Sequence, residues 1–445
     1  MKMCASQRFV TSALAILVVA AAPVAAWAAA PDFYGNTEIA ARIRQGDANV
    51  VLLGDSLQNV TQGEYLRRWP VQKFVGQFVG ENVGQNTGAY SFQSFSHPWL
   101  GAHHARIADN PPAADGYTGI APSATYHARF NAQPVAAADN ILSNRVYTMQ
   151  LAPDQPANYF GGNWSHIDGK PMTVDLLVYA NPQGLASGLK LEVQGNSITT
   201  PLASTPISTH SATPEIRKYT LNFNSQAINS DKALSAVIRM EAGTTPTQDS
   251  NLIVIGSRFH TGESGFQMTN IAWGGKGIDY YTDPANTSDQ NLGRFLEYTD
   301  SDVALIWLGQ NHGNIDKQTY KSKMLTLVDR YKTARPGMQF ALVSTYDTGS
   351  AVLSEFADAL HEIAQDDPSV LFLNLYKEAG TFQFLDQTYL SDHVHPTPEG
   401  SRYMADTLWG LIDSAAASNV PEPAGAALLA LGGISMLRRR RRAAE

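Results

Sequence analysis

Cysteine is almost absent from this sequence. Cys4 is the only one in 445 residues, and it lies in a leading segment expected to be removed. The remaining chain then has no thiol and no disulfide, which excludes a cysteine nucleophile and thiolate metal sites. A fold of this size can rely on its core alone. Long apolar runs are scarce as well. Phe9 to Ala22 is mostly apolar but short for a membrane span. It follows Lys2 and Arg8 and precedes Ala26-Trp27-Ala28, a small-x-small cleavage site, so residues 1–28 are expected to be a secretory signal peptide. Clustered metal ligands are missing too. His103 and His104 are adjacent, but no carboxylate or further histidine stands three or four residues from either, so a surface loop is expected. No metal and no cofactor is implied.

Basic charge is also in short supply once the ends are set aside. The whole chain has 32 Lys+Arg and 40 Asp+Glu. The leading segment holds Lys2 and Arg8, and the trailing one holds five arginines with Glu422 and Glu445. Between them stand 25 basic against 38 acidic residues, a balance of −13. That balance disfavours nucleic acid and anionic lipid as partners. The arginines at the end belong to another pattern. Val420-Pro421-Glu422-Pro423 is followed by the apolar stretch Ala424 to Leu437 and then by Arg438 to Arg442. Residues 420–442 thus resemble a PEP-CTERM sorting signal. The resemblance implies signal peptidase and exosortase as export partners, and a tail only transiently in the inner membrane. It further implies an extracellular or cell-surface location in a Gram-negative bacterium that makes extracellular polysaccharide.

The middle of the chain has two textures. From about Phe266 onward, apolar strands alternate with helical patterns. Val303 to Leu308 is a continuous apolar strand, and Gln339 to Ser344 and Val370 to Leu375 read as further strands. Lys317 to Thr333 places Tyr320, Met324, Leu327, Val328 and Tyr331 on one helical face. Ala351 to Ala364 and Pro398 to Ile412 read as further helices. This alternation predicts a parallel sheet covered on both faces, and the early strand Asn49 to Leu53 belongs to it. Residues 101–257 differ. They are rich in Thr, Ser, Asn, Pro and Gly, with short alternating runs at 172–178, 189–193 and 236–240. That pattern predicts a β-sandwich inserted into the α/β domain formed by 31–100 and 258–415.

Four blocks carry the chemistry. Gly54-Asp55-Ser56 follows the first strand, and Asn270-Ile271-Ala272-Trp273-Gly274-Gly275 follows the second. Gly309-Gln310-Asn311-His312 follows the third, and Asp392-His393-Val394-His395-Pro396 precedes the last helix. Ser56, His395 and Asp392 could supply nucleophile, base and orienting carboxylate. The blocks, in this order, resemble those of the SGNH (GDSL) hydrolases, over about 40–95 and 260–415. The resemblance implies a flavodoxin-like three-layer α/β sandwich with a parallel sheet, here carrying the inserted β-sandwich. It implies an oxyanion hole made by the backbone N–H groups of Ser56 and Gly275 and the side-chain amide of Asn311, with Gly274 and Gly277 as alternatives to Gly275. The family's third block usually ends in aspartate; here His312 takes that place. Asp55 is expected to be structural, bonding loop amides. Trp69, Trp99, Trp164 and Trp273 are candidates for lining a sugar groove.

Three functions compete. The first is an exported esterase that deacetylates a polysaccharide, the inserted sandwich resembling carbohydrate-binding modules of some SGNH esterases. The second is a lipase or aryl esterase, disfavoured by the polar segment Gln58 to Arg68, where a lipase would need an apolar lid. The third is a non-catalytic glycan-binding surface protein, which should have lost one of Ser56, Asn311, Asp392 or His395. Acylated polysaccharide or a small ester is the expected substrate.

Overall fold

The computed structural model describes residues 31–45, 47–58, 89–90, 126–129, 145–151, 171–195, 200–224, 234–247, 250–260, 267–272 and 275–419. The expected signal peptide and sorting signal lie outside these residues. In chain order the elements begin with β1 (Phe33–Gly35), α1 (Thr37–Gln45) and β2 (Asn49–Gly54). A run of strands follows: β3 (Ala89–Tyr90), β4 (Tyr126–Arg129), β5 (Arg145–Leu151), β6 (Pro171–Ala180) and β7 (Leu189–Gln194). It continues through β8 (Ala203–Ile207), β9 (Glu215–Asn224), β10 (Leu234–Met240), β11 (Asn251–His260) and β12 (Gln267–Asn270). Then come α2 (Ile278–Thr282), α3 (Asp289–Tyr298), β13 (Val303–Trp307), α4 (Lys317–Ala334), β14 (Gln339–Val343) and α5 (Val352–Asp366). The chain closes with β15 (Val370–Leu373), α6 (Leu375–Glu378), α7 (Phe382–Thr388) and α8 (Pro398–Ser418).

The first sheet has the order β1-β15-β14-β13-β2-β12. Its five inner-to-edge strands from β12 to β15 pair in parallel, and only β1 runs antiparallel, with Phe33 opposite Leu373. Numbered by sequence, the parallel strands read 2-1-3-4-5, a doubly wound order whose switch point lies between β2 and β13. Every residue of β13 is buried, as is every residue of β15. Such strands need apolar side chains on both faces, which is why they read as continuous runs rather than alternations. α1 packs on α8, and α4 packs on α2, α3 and α5. α4 starts where the Asp316 side chain accepts the Thr319 N–H at 2.9 Å, and it buries the five residues expected from its periodicity.

The antiparallel strands form two further sheets, β5-β10-β7-β8 and β3-β11-β6-β9, with β4 also on β11. Alternate residues of β6 (Met172, Val174, Leu176, Val178) and of β7 (Leu189, Leu191, Val193) are buried in one apolar core. The other face of each sheet carries a buried carboxylate with a cation. Asp175 meets Lys218 at 3.1 Å, and Glu192 is held by Arg239. β9 meets the α/β region through α3. Asn291 Oδ1 accepts the Ile216 N–H at 3.2 Å, and Arg294 pairs with Glu215 at 2.9 Å.

The extent of the antiparallel region differs from the expected 101–257. Ala89 and Tyr90 pair with His260 and Phe259, so it begins earlier and ends later. A two-residue strand has no periodicity to read, and the continuation of β11 beyond Ser257 is set by its pairing with β6 rather than by composition.

Candidate active site

The site is assembled at the C-terminal edge of the parallel sheet, on both sides of the switch point. β2 ends at Gly54, and Asp55, Ser56, Leu57 and Gln58 form a tight turn. Asp55 Oδ1 accepts the Leu57 N–H at 2.9 Å, and Gln58 Oε1 accepts the Asp55 N–H at 3.0 Å. Asp55 is therefore the loop-bonding carboxylate the sequence suggested, and Gln58 is a partner that the sequence did not single out. Ser56 is 4 % exposed, and its Oγ lies 2.9 Å from His395 Nε2. His395 Nδ1 lies 2.7 Å from Asp392 Oδ2. The other carboxylate oxygen of Asp392 accepts the His395 N–H at 2.7 Å and the Val394 N–H at 3.2 Å. Burial pushes the Asp392 carboxyl up, but the His395 backbone N–H, its imidazole and the Val394 N–H outweigh this and hold it below its ordinary range. Asp392 thus stays a carboxylate and fixes the Nδ1–H tautomer, which leaves Nε2 free to accept from the Ser56 hydroxyl.

The loop carrying Asp392 and His395 is pinned at its base. Leu390 bridges Pro396, the Ser391 N–H donates to the His395 carbonyl at 2.8 Å, and Thr397 caps α8 by accepting the Gly400 N–H at 3.0 Å. Pro398 at the start of α8 needs no N–H partner there.

Asn311 sits in a short helical turn, Gln310–His312, just past β13. Its side-chain amide donates to the Lys276 carbonyl at 2.8 Å, which brings the third block against the second. An amide has two N–H groups, so one remains for a further acceptor. Gly275, next to Lys276, has φ +72, a conformation open to glycine and strained for other residues. His312 makes the second tie between these blocks. It is 7 % exposed, and its Nε2 accepts the Ile278 N–H at 2.8 Å at the start of α2. Burial lowers its pKa, which favours the neutral, accepting form. A Cβ on Gly277 would lie 2.5 Å from this nitrogen, so glycine is required there by the close approach of the ring. His312 therefore accepts a loop N–H, as an aspartate at this position could, without bringing a buried charge. Trp273 and Gly274 lie outside the described residues, as do Trp69, Trp99, Trp164, His103 and His104.

Three buried tyrosines, unmarked as site residues by the sequence, hold the strand ends in place. The Tyr281 hydroxyl is 2.7 Å from the Gly54 carbonyl and 2.9 Å from that of Ile271, so it spans the ends of β2 and β12. The Tyr320 hydroxyl donates to the Leu308 carbonyl at 2.7 Å, and that of Tyr346 to the Val394 carbonyl at 2.9 Å. Burial raises all three pKa values, so they remain donors. Among the described residues no cluster of three or more His, Cys, Asp or Glu could hold a metal ion.

A peptidoglycan O-acetylesterase superposes with a TM-score of 0.52 and 13 % identity, covering 87 % of this chain and 100 % of that one. The two share a fold. A family two carbohydrate esterase from Cellvibrio japonicus matches at a TM-score of 0.29 and 12 % identity, over 56 % of this chain and 90 % of that one. A family 3 carbohydrate esterase from Talaromyces cellulolyticus matches at 0.28 and 16 %, over 35 % and 74 %. The last two scores lie below the level at which a shared fold is inferred. No family model and no curated protein sequence matches the chain.

Asp55 has a consequence for stability. It is 1 % exposed, its Oδ2 has no hydrogen-bond partner among the described residues, and burial raises its pKa from 3.8 to about 7, while the Leu57 N–H works in the opposite direction. The folded state therefore holds this proton more tightly than the unfolded chain does. Its contribution is most favourable below pH 4, declines as pH rises towards 7, and is flat beyond. Asp55→Asn removes the ionisation and keeps the Oδ1 acceptor for Leu57. The stability of the variant relative to the parent is expected to rise by about 4 kcal/mol between pH 4 and pH 8. Urea unfolding of both proteins at the two pH values measures it; a gap that does not change with pH contradicts this origin.

Proposed function

We propose that this protein is an exported serine esterase of the SGNH type that removes acetyl groups from a polysaccharide. The observation that carries the reading is the hydrogen-bond chain from Ser56 through His395 to Asp392, made by residues 339 and 3 positions apart in sequence. Ser56 Oγ attacks the acetyl carbonyl carbon as its proton passes to His395 Nε2, and Asp392 stabilises the imidazolium. The negative oxygen of the tetrahedral intermediate is taken by the backbone N–H groups of Ser56 and Gly275 and the remaining N–H of Asn311. The bond to the sugar oxygen then breaks, and that oxygen takes the proton from His395. Water attacks the acetyl-enzyme with His395 again as base, releasing acetate and restoring Ser56.

The polysaccharide is supported by the shared fold with a peptidoglycan O-acetylesterase, and by the antiparallel sheets beside the α/β region, a place where a glycan chain could be held. Export, with exosortase processing and a surface or extracellular location, rests on residues 1–28 and 420–442 as sequence patterns. The test is free acetate measured after incubating the full chain with an O-acetylated polysaccharide, beside p-nitrophenyl esters of increasing acyl length. Acetate release, with activity on the aryl esters falling sharply beyond acetate, is the expected result. No acetate from glycan or aryl ester contradicts the proposal.

A further inference from the structure

Beyond Ser56, the donors assigned to the oxyanion have little of their own to hold them in place. Gly275 is exposed with φ +72, and a Cβ on it would meet no described residue within 4 Å. Packing among these residues therefore does not fix its backbone. Asn311 is exposed too, and its side-chain amide leans on the Lys276 carbonyl at 2.8 Å. The segment after Gly275 runs straight into α2. Gly277 stands at the N-cap of that helix and gives it no side-chain cap. The first N–H groups of such a helix need acceptors from elsewhere.

His312 supplies one. It is the buried neighbour of exposed Asn311, and its Nε2 accepts the Ile278 N–H at 2.8 Å. The backbone of Gly277 lies against the ring: a Cβ there would stand 2.5 Å from Nε2 and 2.7 Å from Cε1. Residues 311 and 312 thus grip residues 276 and 278, Asn311 as donor and His312 as acceptor. The nucleophile's turn is joined to both sides of this grip. Trp307, at the end of β13, pairs with Gly54, and the Tyr281 hydroxyl on α2 bonds the Gly54 carbonyl. The segments carrying Ser56, Gly275 and Asn311 are therefore linked pairwise, and the link between the last two depends on His312.

We propose that His312 is a positioning residue of the oxyanion hole, a role that rests on the esterase reading above. By accepting the Ile278 N–H it holds the Gly275 backbone and the Asn311 amide at the spacing that receives the negative oxygen. The donors act on a charge that exists only along the reaction, so slack in their spacing slows chemistry and leaves substrate binding alone. Acylation and deacylation both pass through that charge, so both slow together.

The experiment measures kcat and KM on p-nitrophenyl acetate, with thermal unfolding beside them. It uses the full-length parent, His312→Ala, His312→Leu and His312→Gln, then Asn311→Ala alone and combined with His312→Ala. Leucine keeps bulk and removes the acceptor, so the test stands if the alanine variant does not fold. Glutamine reaches about as far as the imidazole and offers an oxygen. In His312→Ala and His312→Leu, kcat is expected to fall about thirtyfold with KM within about twofold, less than the roughly 100–1000-fold loss of deleting a donor outright. His312→Gln is expected to recover to within about threefold of the parent, because the acceptor is restored. In the Asn311→Ala background, His312→Ala is expected to cost only about threefold more, since one of the two donors it positions is already gone. An unchanged kcat in His312→Ala or His312→Leu, a loss that glutamine does not recover, or an equal loss with and without Asn311 overturns the proposal and leaves the esterase reading in place. A parent inactive on p-nitrophenyl acetate and on O-acetylated polysaccharide overturns the two together.

Discussion

Ser56→Ala is expected to lower kcat on an acetyl ester by about a million-fold, the size of loss seen when the nucleophile of such a triad is removed. In the proposed mechanism the Ser56 oxygen forms the acyl-enzyme, and its Oγ stands 2.9 Å from His395 Nε2, the base of that mechanism. Alanine leaves His395 and Asp392 in place, so what survives is water attack within the donor pocket. The fold should hardly notice. The substitution deletes one oxygen and one hydrogen bond, and the turn is kept by the bonds of Asp55 and Gln58 to backbone N–H groups. Unchanged thermal unfolding with kcat lowered about a million-fold is the expected pair of observations. A Ser56→Ala protein that keeps a few per cent of parental turnover would mean that another group attacks the ester.

Asp392→Asn is expected to lower kcat by about a thousandfold, less than the roughly ten-thousandfold typical of a buried triad aspartate. The reason for the loss is the tautomer. Asn can keep an oxygen toward the Val394 and His395 N–H groups, so the turn survives. Its NH2 group then faces His395 Nδ1, which must become an acceptor, and the ring proton moves to Nε2 where it can no longer accept from Ser56. The reason for the smaller loss is exposure. The Asp392 side chain is 57 % exposed, so water can replace part of its interaction with the imidazolium. Steady-state kinetics on p-nitrophenyl acetate measure it, and a loss below tenfold contradicts the orienting role.

Much of the site could be read from the chain because its parts sit in short, local patterns. β2 and β13 are continuous apolar runs, and each is followed at once by a polar block, so Ser56 and Asn311 announce the ends of their strands. Asp392 and His395 are three residues apart, and one carboxylate spans that distance with bonds to a ring and a backbone N–H. What could not be read depends on contacts between distant segments. Tyr281 spans Gly54 and Ile271, and Tyr346 reaches Val394, yet in the sequence they are ordinary apolar-aromatic positions. His312 looked like a departure from a familiar block; its meaning is its bond to the Ile278 N–H, which only the packing of Gly277 against the ring reveals. β1 escaped for another reason. A three-residue edge strand carries no periodicity, and its antiparallel pairing with β15 needs no crossover helix to announce it. The helices α2, α6 and α7 are likewise shorter than the window over which a helical repeat can be recognised.

The central claim is that Ser56 is an activated nucleophile. Labelling the full chain with a fluorophosphonate, followed by mass spectrometry of the modified peptide, tests it most directly. The expected result is a single adduct on Ser56, absent in Ser56→Ala and strongly slowed in His395→Ala. A folded parent that takes up no label, or takes it up at another residue, would contradict it.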